Sequence, residues 1–146
     1  MSEPTFLELT AEQTHPLRLA VLRFDTASKQ VVFPQDDQPG VVHLGVAIDG
    51  ELVGTSTWVP SEHDGAPAVQ LRGMATARHL QGAGLGGLLL EEGCARQAAA
   101  GRQAVWANAR DAALAFYERH GFVVEGNGFV DETTQLPHHR VVRRLG

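Results

Sequence analysis

Residues 81–87 read Gln-Gly-Ala-Gly-Leu-Gly-Gly, and they stand between an apolar strand pattern and a helix pattern. Glycine costs about 1 kcal/mol against alanine inside a helix. Such a run at a helix start is explained if bare backbone must approach something closely. At the first turn of a helix the unpaired N–H groups and the positive end of the dipole favour an anion, typically a phosphate. The chain must therefore place a strand, this loop and a helix in series, with a phosphate cradle at the joint.

What surrounds the loop is one domain. A chain of 146 residues can build a real core but not two of them, so 1–146 reads as a single unit. The net charge of −5 argues against nucleic acid as a partner, which needs a basic surface, and is compatible with a cationic substrate. The lone cysteine, Cys94, excludes an internal disulfide and fits a reducing cytoplasm. Neither a basic start with an apolar h-region nor an apolar stretch of spanning length is present. The expectation is a cytoplasmic protein without a membrane partner.

Hydrophobic periodicity gives the order of elements. Residues 6–9 read as a strand and 16–24 as a helix with Pro16 in its first turn. Residues 25–40 read as an irregular loop. Strands follow over 42–48 and 52–59, joined by the hairpin dipeptide Asp49-Gly50. A second loop over 60–67 leads to a strand at 69–76. The glycine run then opens a helix over 85–100, with Leu85, Leu88, Leu89 and Ala95 as its apolar stripe and Gly101 as its stop. A strand at 105–109, a short helix at 111–120 and two strands at 122–130 and 139–145 complete the chain. Antiparallel strands first and a crossover later imply a mixed α/β (α+β) sheet.

Three ligands compete for the loop. Gly82, Gly84 and Gly87 satisfy the G-x-G-x-x-G of dinucleotide binding. A Rossmann turn, however, follows its strand directly and opens a repeated βαβ fold; here residues 77–80 intervene. A P-loop is excluded, because Leu88 and Leu89 stand where Lys and Ser/Thr must follow. The third ligand is coenzyme A. The pattern Gln81-x-x-Gly84-x-Gly86 resembles the pyrophosphate signature of the GNAT N-acetyltransferase superfamily. The run Ala113-Leu114-Ala115-Phe116-Tyr117-Glu118-Arg119-His120-Gly121-Phe122 resembles its second signature, an Ala-x-x-Phe-Tyr helix ending in Gly-Phe. Both occur in the family's order, and the match is good over residues 43–122.

The resemblance implies a twisted mixed sheet with helices on both faces and two parallel strands, 69–76 and 105–109, that splay apart to take the pantetheine arm. It maps Met74, Ala75 and Thr76 to the strand that binds that arm, with an amide near Met74 as oxyanion donor. Gln81, Gly82, Ala83, Gly84, Leu85, Gly86 and Gly87 map to the pyrophosphate loop, and Phe116 to the cofactor-binding helix. Tyr117 maps to the general acid that protonates the thiolate; a phenol of pKa about 10 stays protonated at neutral pH. Asn or Gln is frequent seven residues before that tyrosine. This chain has Arg110 there and Asn108 two residues earlier, either of which could contact CoA.

The implied activity is acetyl-CoA-dependent acetylation of a primary amine, small-molecule or peptide, by direct attack. The alternatives are a non-catalytic acyl-CoA sensor and a dinucleotide-binding oxidoreductase. Residues 70–74 (Gln-Leu-Arg-Gly-Met) lack the carboxylate base that family members often carry there. The remaining candidates are Asp36, Asp37, His43, His138 and His139. The segment Phe33-Pro34-Gln35-Asp36-Asp37 with His43 after it, and Pro137-His138 near the end, resemble a small bacterial branch of the family. The carboxylate pair would hold an ammonium ion and a histidine would take its proton. Cys94, mid-helix and without a supporting histidine, reads as a buried hydrophobe rather than a nucleophile. No metal is expected, because His138 and His139 alternate across a strand and no H-E-x-x-H or paired-cysteine spacing occurs. A sheet edge offers a surface for a homodimer.

Overall fold

A computed structural model of the chain describes residues 3–146. Seven strands form one mixed sheet: β1 (Thr5–Leu9), β2 (Val42–Ile48), β3 (Glu51–His63), β4 (Ala66–Thr76), β5 (Ala104–Arg110), β6 (Val123–Val130) and β7 (Pro137–Arg144), in the order β1-β2-β3-β4-β5-β7-β6. All neighbours are antiparallel except β4 and β5. The helices are α1 (Ala11–Leu17), α2 (Leu85–Ala99) and α3 (Leu114–Arg119).

The first helix begins five residues earlier than its expected start at Pro16. Thr10 caps it, accepting from the Gln13 amide while the Gln13 side chain accepts from the Thr10 amide. Pro16 thus lies near its end, and the backbone widens into one π turn at Arg18–Leu22. The missing proline N–H and the displaced ladder fall together there.

The expected loop over 60–67 is strand. Asp64 and Gly65 both have positive φ, 51° and 76°, and close a hairpin like that of Asp49 and Gly50 at 52° and 80°. Pro60 and Pro67 mask this signal in the sequence. The 25–40 loop holds one 3-10 turn at Pro34–Asp37. The helix expected over 111–120 splits into a 3-10 turn at Asp111–Ala113 and α3.

Consecutive residues of β3 show which face each helix covers. Trp58, 1% exposed, packs on Gly93 of α2, whereas Thr57 accepts from Arg18 of the π turn at 2.8 Å. Neighbouring strand residues point to opposite faces, so α2 and the α1 segment lie on opposite sides of the sheet. Val46, Val53, Leu89, Leu90, Val105 and Val141 form the core beneath α2.

Two irregularities of β4 make the site. It pairs with β5 only at Ala68–Ala104, Val69–Val105 and Gln70–Trp106; beyond Gln70 the two strands part. On its other side the register jumps between Thr57–Arg72 and Thr55–Ala75. Gly73 and Met74 therefore bulge out of the ladder, with Gly73 at φ +59°. A bulge turns backbone groups toward a neighbouring space.

Candidate active site

Two cavities flank the parted strands. The larger, about 730 Å3, runs from Met74, Ala75 and Thr76 along Gln81, Gly82 and Gly84–Leu88 to Phe116, Tyr117 and His120. The smaller, about 190 Å3, lies between Arg72–Met74 of β4 and Ala107–Arg110 of β5 and is closed by Arg23, Phe33, Asp131 and His138. Met74, Ala113 and Tyr117 line both.

The glycine loop floors the larger cavity. Gly82 and Gly84 have φ of +91° and +84°, which L-residues with a β-carbon rarely adopt. The first-turn amides of α2 have no intrahelical acceptor; the first turn closes when the Leu88 amide reaches the Gly84 carbonyl at 3.1 Å. A β-carbon on Gly86 would stand 3.3 Å from Thr76 Oγ1, and one on Gly87 2.9 Å from the His120 ring. Bare backbone is thus required both for conformation and for the close approach of β4 and α3. Gln81 fixes the loop to β4 by donating from Nε2 to the Thr76 carbonyl at 3.1 Å. Ala83 is set apart: its amide is spent on the Leu80 carbonyl at 3.2 Å and it does not line the cavity. These features fit a diphosphate held by backbone amides at a helix start.

Tyr117 stands where the cavities meet. It is 8% exposed, stacked edge-on against Phe116 and Phe122 with ring centroids 5.3 Å away. Burial pushes its phenol up to about 12, so the proton is held firmly at neutral pH. Cys94 lines neither cavity; burial pushes its thiol up to about 11, against thiolate chemistry.

The remaining expectations divide. Asn108 and Arg110 do share a face of β5, but they line the smaller cavity and not the larger one. Arg110 donates to the Leu22 carbonyl and pairs with Asp25 at 3.4 Å. Asp36 does not reach the smaller cavity as an ammonium holder. It is buried, takes a two-pronged contact from Arg18 (2.8 and 2.9 Å), and accepts the Phe33 amide at 3.0 Å. His43 is committed likewise, with Nδ1 against Thr57 Oγ1 at 2.8 Å and Nε2 against the Asp36 carbonyl at 3.1 Å. Asp37 is exposed on the 3-10 turn, away from either cavity. Together Arg18, Asp36, Thr57 and His43 brace the 25–40 loop on the sheet.

His138 is the one of these four that reaches the smaller cavity. Its Nδ1 lies 2.9 Å from the Leu136 carbonyl, which can only accept. In the neutral ring the proton therefore sits on Nδ1 and the lone pair on Nε2. His139 is held by Asp111 at 2.6 Å and lines neither cavity. The same wall carries Arg23, Arg72 and Asp131, which the sequence did not single out. They come from the end of the π turn, from β4 and from the β6–β7 connection, and only the fold assembles them. Among the described residues no cluster of His, Cys, Asp and Glu could hold a metal ion, and no helix is long and apolar enough to cross a membrane.

The comparisons agree with this geometry. The family description "Acetyltransferase (GNAT) domain" matches residues 39–124. The chain is 32% identical over 124 residues to a Bacillus subtilis (strain 168) protein described as the uncharacterized N-acetyltransferase YitI, covering 83% of each. Among solved structures, an acyl-CoA N-acyltransferase from Pseudomonas aeruginosa superposes with a TM-score of 0.76 at 24% identity, over 98% of this chain and 99% of that one. Escherichia coli ElaA superposes with a TM-score of 0.75 at 19% identity, over 98% and 99%. The fold is theirs, the glycine loop lines the larger cavity and the Ala113–Phe122 segment reaches the junction of the two, and the chain belongs to the GNAT acetyltransferase family as an acyltransferase.

Proposed function

We propose that the protein transfers an acetyl group from acetyl-CoA to a primary amine, by direct attack with both substrates bound. The observation that carries this reading is the junction at Met74, Ala113 and Tyr117, where a groove floored by free helix amides meets a second, smaller cavity. Amides of Gly82, Gly84 and 85–87 would hold the diphosphate, and the parted edge of β4 at 74–76 would hold the pantetheine arm. Acetyl-CoA, when bound, supplies an acyl group activated as a thioester.

The chain supplies the proton transfers and the polar support. His138 Nε2 takes a proton from the acceptor ammonium and so exposes the amine lone pair. The Met74 amide, freed from both ladders by the bulge, donates to the acyl oxygen as charge develops there. Tyr117 gives its hydroxyl proton to the departing sulfur. An ammonium loses two protons in becoming an amide; His138 passes one to solvent, and the other restores the Tyr117 phenol. Cys94, buried and far from the thiolate range, takes no acyl group.

The test is thermal unfolding with acetyl-CoA, CoA, NAD or no ligand. A ligand at about 100 times its dissociation constant adds roughly 2.7 kcal/mol of apparent stability. Stabilisation by acetyl-CoA and CoA but not NAD, followed by amine-dependent thiol release, is the expected result. Absence of any shift at millimolar acetyl-CoA overturns the donor assignment. Stabilisation without thiol release from any amine would instead favour a CoA-binding sensor.

A further inference from the structure

The wall of the smaller cavity carries three guanidinium groups, of Arg23, Arg72 and Arg110, and among the described residues one carboxylate, that of Asp131. Arg110 has spent donors on Asp25 and the Leu22 carbonyl. Arg23 and Arg72, which have no ion-pair partner among the described residues, each keep a nitrogen in reserve. Arg23 is 7% exposed and uses Nε on the Gln30 carbonyl (2.8 Å) and Nη1 on the Leu22 carbonyl (3.2 Å), leaving Nη2 without an acceptor among the described residues. Arg72 lies on the Phe33 ring, 4.6 Å from its centroid, and gives Nη1 to Gln35, leaving Nε and Nη2 without one.

Holding like charges together out of water is unfavourable unless something answers them. Burial, and for Arg23 also the charge of Arg110, lowers the proton affinity of both groups; an anion in the cavity relieves this. Asp131 answers this charge only in part: it favours both guanidinium groups electrostatically but forms no ion pair with either among the described residues. Its Oδ2 is engaged by the amides of Thr133 at 3.1 Å and Thr134 at 2.9 Å, and of the three arginines Arg110 alone has an ion-pair partner among the described residues, Asp25.

The anion enters with the acceptor, because this cavity is the acceptor's side of the Met74–Tyr117 junction. Planar guanidinium groups match a carboxylate with paired N–H donors. The volume of about 190 Å3 lies below the roughly 300–1,000 Å3 of drug-sized sites and suits a molecule the size of an amino acid. Asp131 on the same wall also suits a ligand carrying both signs of charge. Accepting the acetyltransferase reading, on which this rests, we propose that the acceptor is a free amino acid, with its carboxylate on Arg23 and Arg72 and its amine at Met74, Tyr117 and His138. The acidic ammonium trap expected from Asp36 and Asp37 is thereby replaced by a basic carboxylate clamp.

Thiol release is measured with glycine and the L-amino acids, each beside its C-terminal amide, for wild type, Arg72→Gln and Arg23→Gln. Stabilisation by CoA is measured in parallel for each protein. Losing a charge-assisted contact costs at least about tenfold. An acid with kcat/KM at least about tenfold above its own amide is expected, with that ratio falling toward one in the variants. Arg72→Gln, on a partly exposed strand residue, keeps the test open if Arg23→Gln does not fold. Equal or faster turnover of the amides overturns the carboxylate clamp and leaves the acetyltransferase reading standing. So does a protein that CoA stabilises but that acetylates neither set. If CoA does not stabilise the wild type, both readings fall.

Discussion

His138 donates from Nδ1 to the carbonyl of Leu136, two residues back, at 2.9 Å, and lines the smaller cavity together with Tyr117. The short backbone tether and the stacked Phe129 ring, 5.8 Å between centroids, hold the imidazole in one orientation. A fixed tautomer with a free lone pair is what a proton acceptor needs. His138→Ala is expected to lower kcat by about 10²-fold or more while stabilisation by CoA is retained. Unchanged kcat at saturating amine would remove His138 from the mechanism.

In the proposed reaction Tyr117 acts at the other end. With its phenol raised to about 12 by burial, the proton it must give is present throughout the accessible range. The rate should therefore show no alkaline decline from this group up to about pH 10, where an exposed tyrosine titrates. Tyr117→Phe keeps the ring packing against Phe116 and Phe122 and removes only the proton. We expect kcat to fall by about 10²-fold or more with the KM for acetyl-CoA little changed. A Phe variant as fast as wild type sinks the assignment.

The glycine loop predicts a separable effect. Gly84 sits at φ +84° with open space where a β-carbon would project. Gly84→Ala thus meets no neighbour and costs only backbone strain, of about 1–2 kcal/mol, together with misaligned amides at the start of α2. Calorimetric titration should show weaker CoA binding with the fold intact. Undiminished affinity would show that the diphosphate does not rest on this turn.

How far the site could be read in advance depended on the range of the interaction. The glycine loop and the Phe116-Tyr117 pair lie in contiguous segments whose local conformation is the signal. Both segments line the larger cavity, apart from Ala83 and its paired amide. Asp36 and His43 looked like acid and base because their residue types permit it. Their partners, Arg18 for Asp36 and Thr57 for His43, lie 18 and 14 positions away along the chain, and no local pattern announces such a pairing. Arg23, Arg72 and Asp131 are illegible in the sequence for the converse reason. Each alone reads as a surface charge, and the cavity exists only because β4 leaves β5 after Gln70. The Asp64-Gly65 hairpin was local and readable, but the flanking prolines argued against strands.

Gly93 escaped notice too, since a glycine in the middle of a helix reads as a mere weakness. Its true constraint is Trp58: a β-carbon would stand 1.9 Å from the indole Cζ2, inside any tolerable contact. Trp58 is 1% exposed, with its Nε1 bound to Ser56 Oγ at 2.8 Å, so it has little room to withdraw. Gly93→Ala, favourable by helix propensity, should instead destabilise by about 1–3 kcal/mol through overpacking. Urea unfolding that finds the variant as stable as wild type would contradict this contact.

The brace beneath the acceptor cavity gives the last prediction. Asp36 and Arg18 are buried at 1–2% side-chain exposure and 2.8 Å apart. Burial opposes ionisation of the carboxyl, but the Arg18 hydrogen bonds and the Phe33 amide outweigh it and hold Asp36 below the usual carboxylate range. The unfolded chain then binds the proton first as pH falls. The contribution is therefore complete above the unfolded value of about 3.9 and is lost as pH drops through the lower native one. Asp36→Ala leaves Arg18 charged and unanswered, at a cost of about 3–5 kcal/mol at pH 7, and should flatten the acid limb of stability. Because Phe33 lies between Arg18 and Arg72, 3.9 and 4.6 Å from the two guanidinium carbons, the same change should loosen Arg72 and raise the KM for the acceptor more than that for acetyl-CoA. Chemical unfolding at pH 7 and well below about pH 3.9, with both KM values, checks the brace; wild-type stability at pH 7 would refute it.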